Sequence, residues 1–217
     1  MLRKFVIPLL LSIPFIAVPA HAQFKKPGSD GKSDSAATSM VPDAASQDAL
    51  VKQFVTAQTK AIAAQTSFAK AFGLAEQVQL LEAEKKSLTS GATDTAVIKK
   101  SVETSESVQK AIDEKIAAKP QMDAKAKKDY AEGLVFLVGS ALEAKNMGVS
   151  ATQFGAGMKS LSPLQMGSAM VKLRAGAWVV KESPGYIKSI YGATKSAMTF
   201  AKANKISVPK NADALSF

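Results

Sequence analysis

No proline interrupts the chain between Pro42 and Pro120, and across that stretch apolar residues return at steps of three and four. Proline lacks an N–H and clashes with the preceding turn, so its absence over such a length admits unusually long helices. Val51, Val55, Gln58, Ile62, Gln65, Ala69 and Phe72 form one stripe, widened by Leu50, Phe54, Ala61 and Phe68. That is the period of a helix starting near Ser46, with Gly73 as a point of kinking. Leu74, Val78, Leu81, Lys85 and Leu88 continue the spacing in a shifted phase to Ser90-Gly91. A second long helix is expected from near Asp94, carrying Ile98, Val102, Ser105, Ile112 and Ile116 and closing before Lys119-Pro120. A third starts at Asp123 and presents Tyr130, Leu134, Leu137, Val138 and Leu142, ending at Asn146 to Gly148.

Shorter helices are expected to follow. Ser150–Gln153 and Ser162–Gln165 both fit a capping box, a hydroxyl at the N-cap with Gln three residues on. Ser162-Pro163 and Ser183-Pro184 place proline at the first helical position, where the missing N–H costs nothing. The expected spans are 150–160, 163–182 and 184–204, inside a single helical domain over 46–205, with a short tail at 206–217. No two-residue alternation runs long enough for a sheet. The fold class is therefore all-α, a bundle of five to six helices whose later members are Gly-rich. Nine of the 13 glycines lie between Gly133 and Gly192, which points to close helix–helix packing, with Gly148 as a C-cap.

The first 45 residues read differently. Arg3 and Lys4, the apolar run from Phe5 to Val18, and Ala20-His21-Ala22 form an expected secretory signal over residues 1–22. The run is too short to span a bilayer. Residues 23–45 hold hardly an apolar side chain and are expected to be a disordered polar leader. The exported chain is then periplasmic, or alternatively secreted, with no transmembrane span.

Composition removes whole classes of chemistry. There is no Cys, and the one His lies in the expected signal, so disulfides, thiolate metal sites and triads built on Ser-His or Cys-His are excluded. No catalytic residue, metal ligand or cofactor site is expected. Met147, Met158, Met166 and Met170 cluster in sequence and are read as core packing rather than Cu(I) ligands. Glu182-Ser183 resembles the Glu-Ser dipeptide of lysozyme-like lytic transglycosylases, where a glutamic acid protonates the leaving sugar oxygen. The Gly-Leu-Met-Gln type element that follows in that family is absent here, and Gly185-Tyr186-Ile187 does not replace it.

Charge is the sharpest asymmetry. Residues 23–143 hold 16 lysines and 16 carboxylates, whereas 144–217 hold ten basic residues against Glu182 and Asp213. Lys181, Lys188, Lys195 and Lys202 recur every seven residues among Tyr186 and Tyr191, and these six form the expected anion-contact surface. Nucleic acid is a poor partner: Arg174 is the one arginine after the signal, and export removes the chain from it. The expectation is a non-enzymatic accessory or scaffold protein contacting anionic lipid, cell-wall polymer or an acidic protein. The alternatives are a carrier of a small apolar ligand or lipid and, more remotely, a carboxylate-only hydrolase or lyase acting on cell-wall glycan. N-terminal sequencing of exported protein should read Gln-Phe-Lys-Lys from Gln23, and a soluble chain starting at Met1 would contradict the signal.

Overall fold

The computed structural model describes residues 41–91 and 94–215, so the expected signal and most of the leader lie outside the described residues. The described chain holds six α-helices: α1 Ala44–Ala71, α2 Ala75–Ser90, α3 Thr95–Ala117, α4 Ala124–Lys159, α5 Pro163–Lys172 and α6 Arg174–Ala203. A single 3-10 turn follows at Lys210–Ala214. The protein is an all-α bundle, with no strand among the described residues.

Local chemistry explains where the helices begin and end. Asp43 caps α1, accepting from Ser46 N–H at 2.8 Å while Ser46 Oγ accepts from Asp43 N–H at 2.9 Å. The bond from Ser46 N–H, followed by the Ser46 hydroxyl, holds the Asp43 carboxyl below its usual range. Asp94 and Asp123 cap α3 and α4 in the same sense. α1 ends because Gly73 adopts φ +69°, which lets Leu74 N–H return to Ala69 O at 2.8 Å and Gly73 N–H to Lys70 O at 3.2 Å. Gly73 thus breaks the helix rather than kinking it. The same closure ends α6 without glycine: Lys205 takes φ +56° and Ile206 N–H bonds Ala201 O at 2.8 Å.

Two expected breaks do not occur. α4 runs straight through Asn146–Gly148 and Ser150, because Met147, Ala151, Phe154 and Met158 keep one buried stripe going. Gly148 is therefore mid-helix rather than a C-cap, and Ser150 caps nothing. α6 likewise runs through Ser183-Pro184. Proline at 184 cannot donate to Val180 O, but Ser183 Oγ donates to that carbonyl at 3.2 Å and satisfies it locally. The expected 163–182 helix instead divides at Leu173. The Ser162 box is present, with Ser162 N–H to Gln165 Oε1 at 3.1 Å and Gln165 N–H to Ser162 Oγ at 3.4 Å.

α1 is the central helix, packed against α2, α3, α4 and α6. Its seam with α4 is built from small residues. Ala57, Ala61 and Ala64 face a stretch of α4 containing Gly133, Ser140, Ala141 and Ala144, and Ser140 Oγ donates to Ala57 O at 2.8 Å. Tyr130 on α4 lies among Phe68 and Phe72 of α1 and Phe200 of α6, with ring centroids 4.6, 5.7 and 5.1 Å away. Phe54 of α1 meets Trp178 at 5.4 Å and Tyr186 at 4.8 Å, joining α1 to α6 a second time. Met147 and Met158 are core residues and Met166 packs against the core, whereas Met170 is exposed. Residues 206–215 are docked rather than loose: Ile206, Ala212 and Leu215 are buried.

The glycines divide into packed and unpacked positions, so close packing accounts for only some of them. A Cβ at Gly133 would sit 2.5 Å from Phe68 Cε1 and 3.0 Å from Ala64 O, whereas one at Gly192 would meet nothing within 4 Å. Gly133→Ala should therefore lose about 1–3 kcal/mol through overpacking. Gly192→Ala should gain about 0.5–1 kcal/mol through helix propensity. Urea denaturation of the two variants beside the wild type measures both signs.

Candidate functional site

Two features of the folded chain could meet a partner: the outer face of α6 and a cavity between α1, α3 and α6. Because α6 is continuous, Lys181, Lys188, Lys195 and Lys202 stand on one helix, and all four are exposed. Steps of seven keep them on one side, since two helical turns nearly complete the repeat. The inner side of the same helix carries Val179, Ile190, Thr194, Ala197 and Phe200 into the core. Lys181 lies 3.6 Å from its neighbour Glu182, an exposed pair of little energetic consequence. Lys188, Lys195 and Lys202 make no ion pair among the described residues.

The tyrosines do not share that exposure. Tyr186 turns inward onto Phe54, and its hydroxyl is buried with no hydrogen-bond partner. Burial pushes the Tyr186 phenol far above the ordinary tyrosine range, with Ser140 offsetting this in part. The Ser140 hydroxyl itself is committed to Ala57 O. Tyr191, one turn from both Lys188 and Lys195, is half-buried beside the cluster containing Ile190, Ala212 and Leu215. Of the six residues expected to meet an anion, the structure therefore groups the four lysines on the solvent face and directs Tyr186 to the core.

The cavity has a volume of about 200 Å³, and sequence reasoning missed it. Phe54, Val102, Tyr186 and Ile190 supply its apolar wall. Gln58, Gln65, Ser105 and Gln109 supply amides and hydroxyls, with carboxylates from Glu106 and Glu182. The glutamines are fixed by α3. Gln58 Nε2 donates to Ser101 O at 3.1 Å, and Gln65 Nε2 donates to Ser105 O at 2.9 Å. Ser105 Oγ returns a bond to Gln65 Oε1 at 2.8 Å. Gln58 Oε1 is buried and has no partner. Such a lining, without a Lys or Arg, suits a small polar or cationic guest better than an apolar one. The signal was present in the apolar stripe of α1, where Gln58 and Gln65 occupy inward positions and so declare a buried polar seam.

No protein-family model matches the chain, and no curated protein or solved structure matches it either. Among the described residues no helix is long and apolar enough to cross a membrane.

The buried phenols set an alkaline limit. Burial raises Tyr130 as well as Tyr186, with the Asp113 charge adding to the effect at Tyr130. Near neutral pH both phenols are neutral in the folded and unfolded chain. Above about pH 10 the unfolded chain ionises first, so stability should fall as pH rises, by about 1.4 kcal/mol per pH unit for each tyrosine. Tyr186→Phe should remove its share of that slope. It should leave neutral-pH stability unchanged or higher, because the lost hydroxyl has no partner. Urea melts from pH 7 to 11 test both statements.

Proposed function

We propose that this is an exported, non-enzymatic binding protein that docks on an anionic surface of the cell envelope through the outer face of α6. The observation that carries the reading is the alignment of Lys181, Lys188, Lys195 and Lys202 on one exposed face of a continuous helix. The rest of the chain supports it. After the expected signal, the positive excess lies wholly in the last third, while the preceding part is balanced. A cation near an anionic membrane contributes about 1 kcal/mol, so the four lysines supply roughly 4 kcal/mol, millimolar attraction by themselves. Apolar or specific contacts must add the remainder.

A carrier is the second reading. The cavity between α1, α3 and α6 is the observation behind it, while a volume of about 200 Å³ and the amide, hydroxyl and carboxylate lining favour a small polar guest over a lipid. A glycan hydrolase or lyase would rest on Glu182, which lines that cavity with Glu106, and requires an activity that Glu182→Gln abolishes.

The chain from Gln23 onward should sediment with vesicles containing phosphatidylglycerol, or with an acidic polymer, at low salt. Binding should weaken steeply as salt rises, because exposed charges are screened beyond about 8 Å at physiological ionic strength. Lys188→Gln, Lys195→Gln and Lys202→Gln together should lower affinity roughly a hundredfold with helicity unchanged. Wild-type protein that ignores every acidic surface at low salt would leave the stripe as solvated charge and favour the carrier.

A further inference from the structure

α5 is the part of the bundle least used by the core. None of its ten residues is buried. Met166 and Ala169 lean on the core from one side, followed by the buried Leu173. At 100° per residue, Leu164, Gly167, Ser168 and Val171 fall on the opposite side. There Leu164 is 91% exposed and Val171 79%, and Met170 at the flank is 48% exposed. Folding gains little from leaving two large aliphatic side chains this open when the helix already has an inner face.

The charge pattern says what could cover them. From Ser160 to Val171 the sequence contains no charged residue. Lys159 stands immediately before that stretch, Lys172 and Arg174 immediately after it, and all three are exposed. An uncharged apolar tip bounded by cations matches a bilayer interface, where acyl chains receive the apolar side chains and anionic headgroups meet the cations. An acidic polymer or a polar protein surface would satisfy the cations and leave Leu164 and Val171 without a partner.

We infer that α5 is a lipid-inserting element, with Leu164 and Val171 entering the headgroup–acyl boundary of an anionic phospholipid membrane while Lys159, Lys172 and Arg174 contact its headgroups. This rests on the surface-docking reading and adds the apolar contribution that the α6 lysines lack. It also chooses phospholipid among the anionic surfaces. The Ser162–Gln165 capping box holds the short helix formed at its entry without burial, as an element that presents side chains outward requires.

The chain's lack of cysteine allows single-site labelling. Leu164→Cys and, as a control on exposed α2, Ser87→Cys would each carry an environment-sensitive fluorophore in the chain from Gln23 onward. Phosphatidylcholine vesicles mixed three to one with phosphatidylglycerol should shift emission at 164 to the blue and leave 87 unchanged. In unlabelled protein, Leu164→Ser with Val171→Ser should weaken vesicle affinity about tenfold or more. Circular dichroism should show helicity retained, since both side chains are already in water. Vesicle binding with aqueous emission at 164, or with full affinity in the double variant, overturns the insertion and leaves docking by α6 intact. Absence of vesicle binding at low salt overturns the insertion, and docking by α6 falls with it only if the protein also ignores acidic polymers. Emission at 164 that is already blue before lipid is added shows another protein segment covering α5, and overturns the lipid assignment.

Discussion

The close approach of α1 and α4 governs where every other helix can lie. It is possible because α1 presents Ala57, Ala61 and Ala64 to a stretch of α4 that offers Gly133, Ser140, Ala141 and Ala144, so that the backbones meet with few side chains between them. Removing the Cβ at 133 brings Phe68 against the α4 backbone, and that placement lets Tyr130 stack on Phe68, Phe72 and Phe200 at once. Tyr130 then fixes α6, since its hydroxyl donates to Ala197 O at 3.2 Å across the joint. Dispersion contacts of this kind fall off within a fraction of an ångström, so a looser seam would forfeit the aromatic node as well.

The side of α1 about a quarter-turn away works by a different rule. Gln58 and Gln65, seven residues apart, reach serine hydroxyls and carbonyls at 101 and 105 on α3. An apolar contact between two helices tolerates sliding, whereas buried amides leave unsatisfied groups when the register is wrong, at a cost of about 1–3 kcal/mol each. The apolar seam thus sets how close α4 lies, and the polar seam sets where α3 stops. The cavity lies along this polar seam, with Gln58, Gln65 and Gln109 in its lining.

Much of this was legible from residue types. The stripes of α1 to α3 and the aspartate starts at Asp94 and Asp123 follow from local periodicity and capping chemistry, whereas Gly73, expected as a kink, ends the helix. The errors share a cause. Ser150 and Ser183-Pro184 carry local start signals, yet in both places a buried stripe continues past them and tertiary packing outweighs the local preference. The end of α6 agrees with the expected 204, although the closure is made by Lys205 in a conformation usually given to glycine. Of the candidate site, the lysine period was readable because it needs only a helix. The inward turn of Tyr186 was not, because residues five apart on a helix diverge by about 140° and the lysine at 181 says nothing of what meets 186.

The continuity of α6 through Pro184 is what gives the lysine period its physical meaning. Were the helix to restart at Pro184, Lys181 would belong to a separate axis and the other three would span only two heptads. On one axis, Lys181 to Lys202 extend about 32 Å, at 1.5 Å per residue. The stripe drifts by about 20° per heptad, hence about 60° over its length, still within one face of the helix. Successive charges stand about 10.5 Å apart along the axis. That exceeds the screening length of about 8 Å at physiological salt, so the repulsion among them is small. Lysines placed every four residues would have repelled one another within a turn and destabilised the helix that presents them. The seven-residue spacing therefore lets one helix hold four like charges on a single side at low cost to its own stability, while an extended anionic surface laid along it would meet all four.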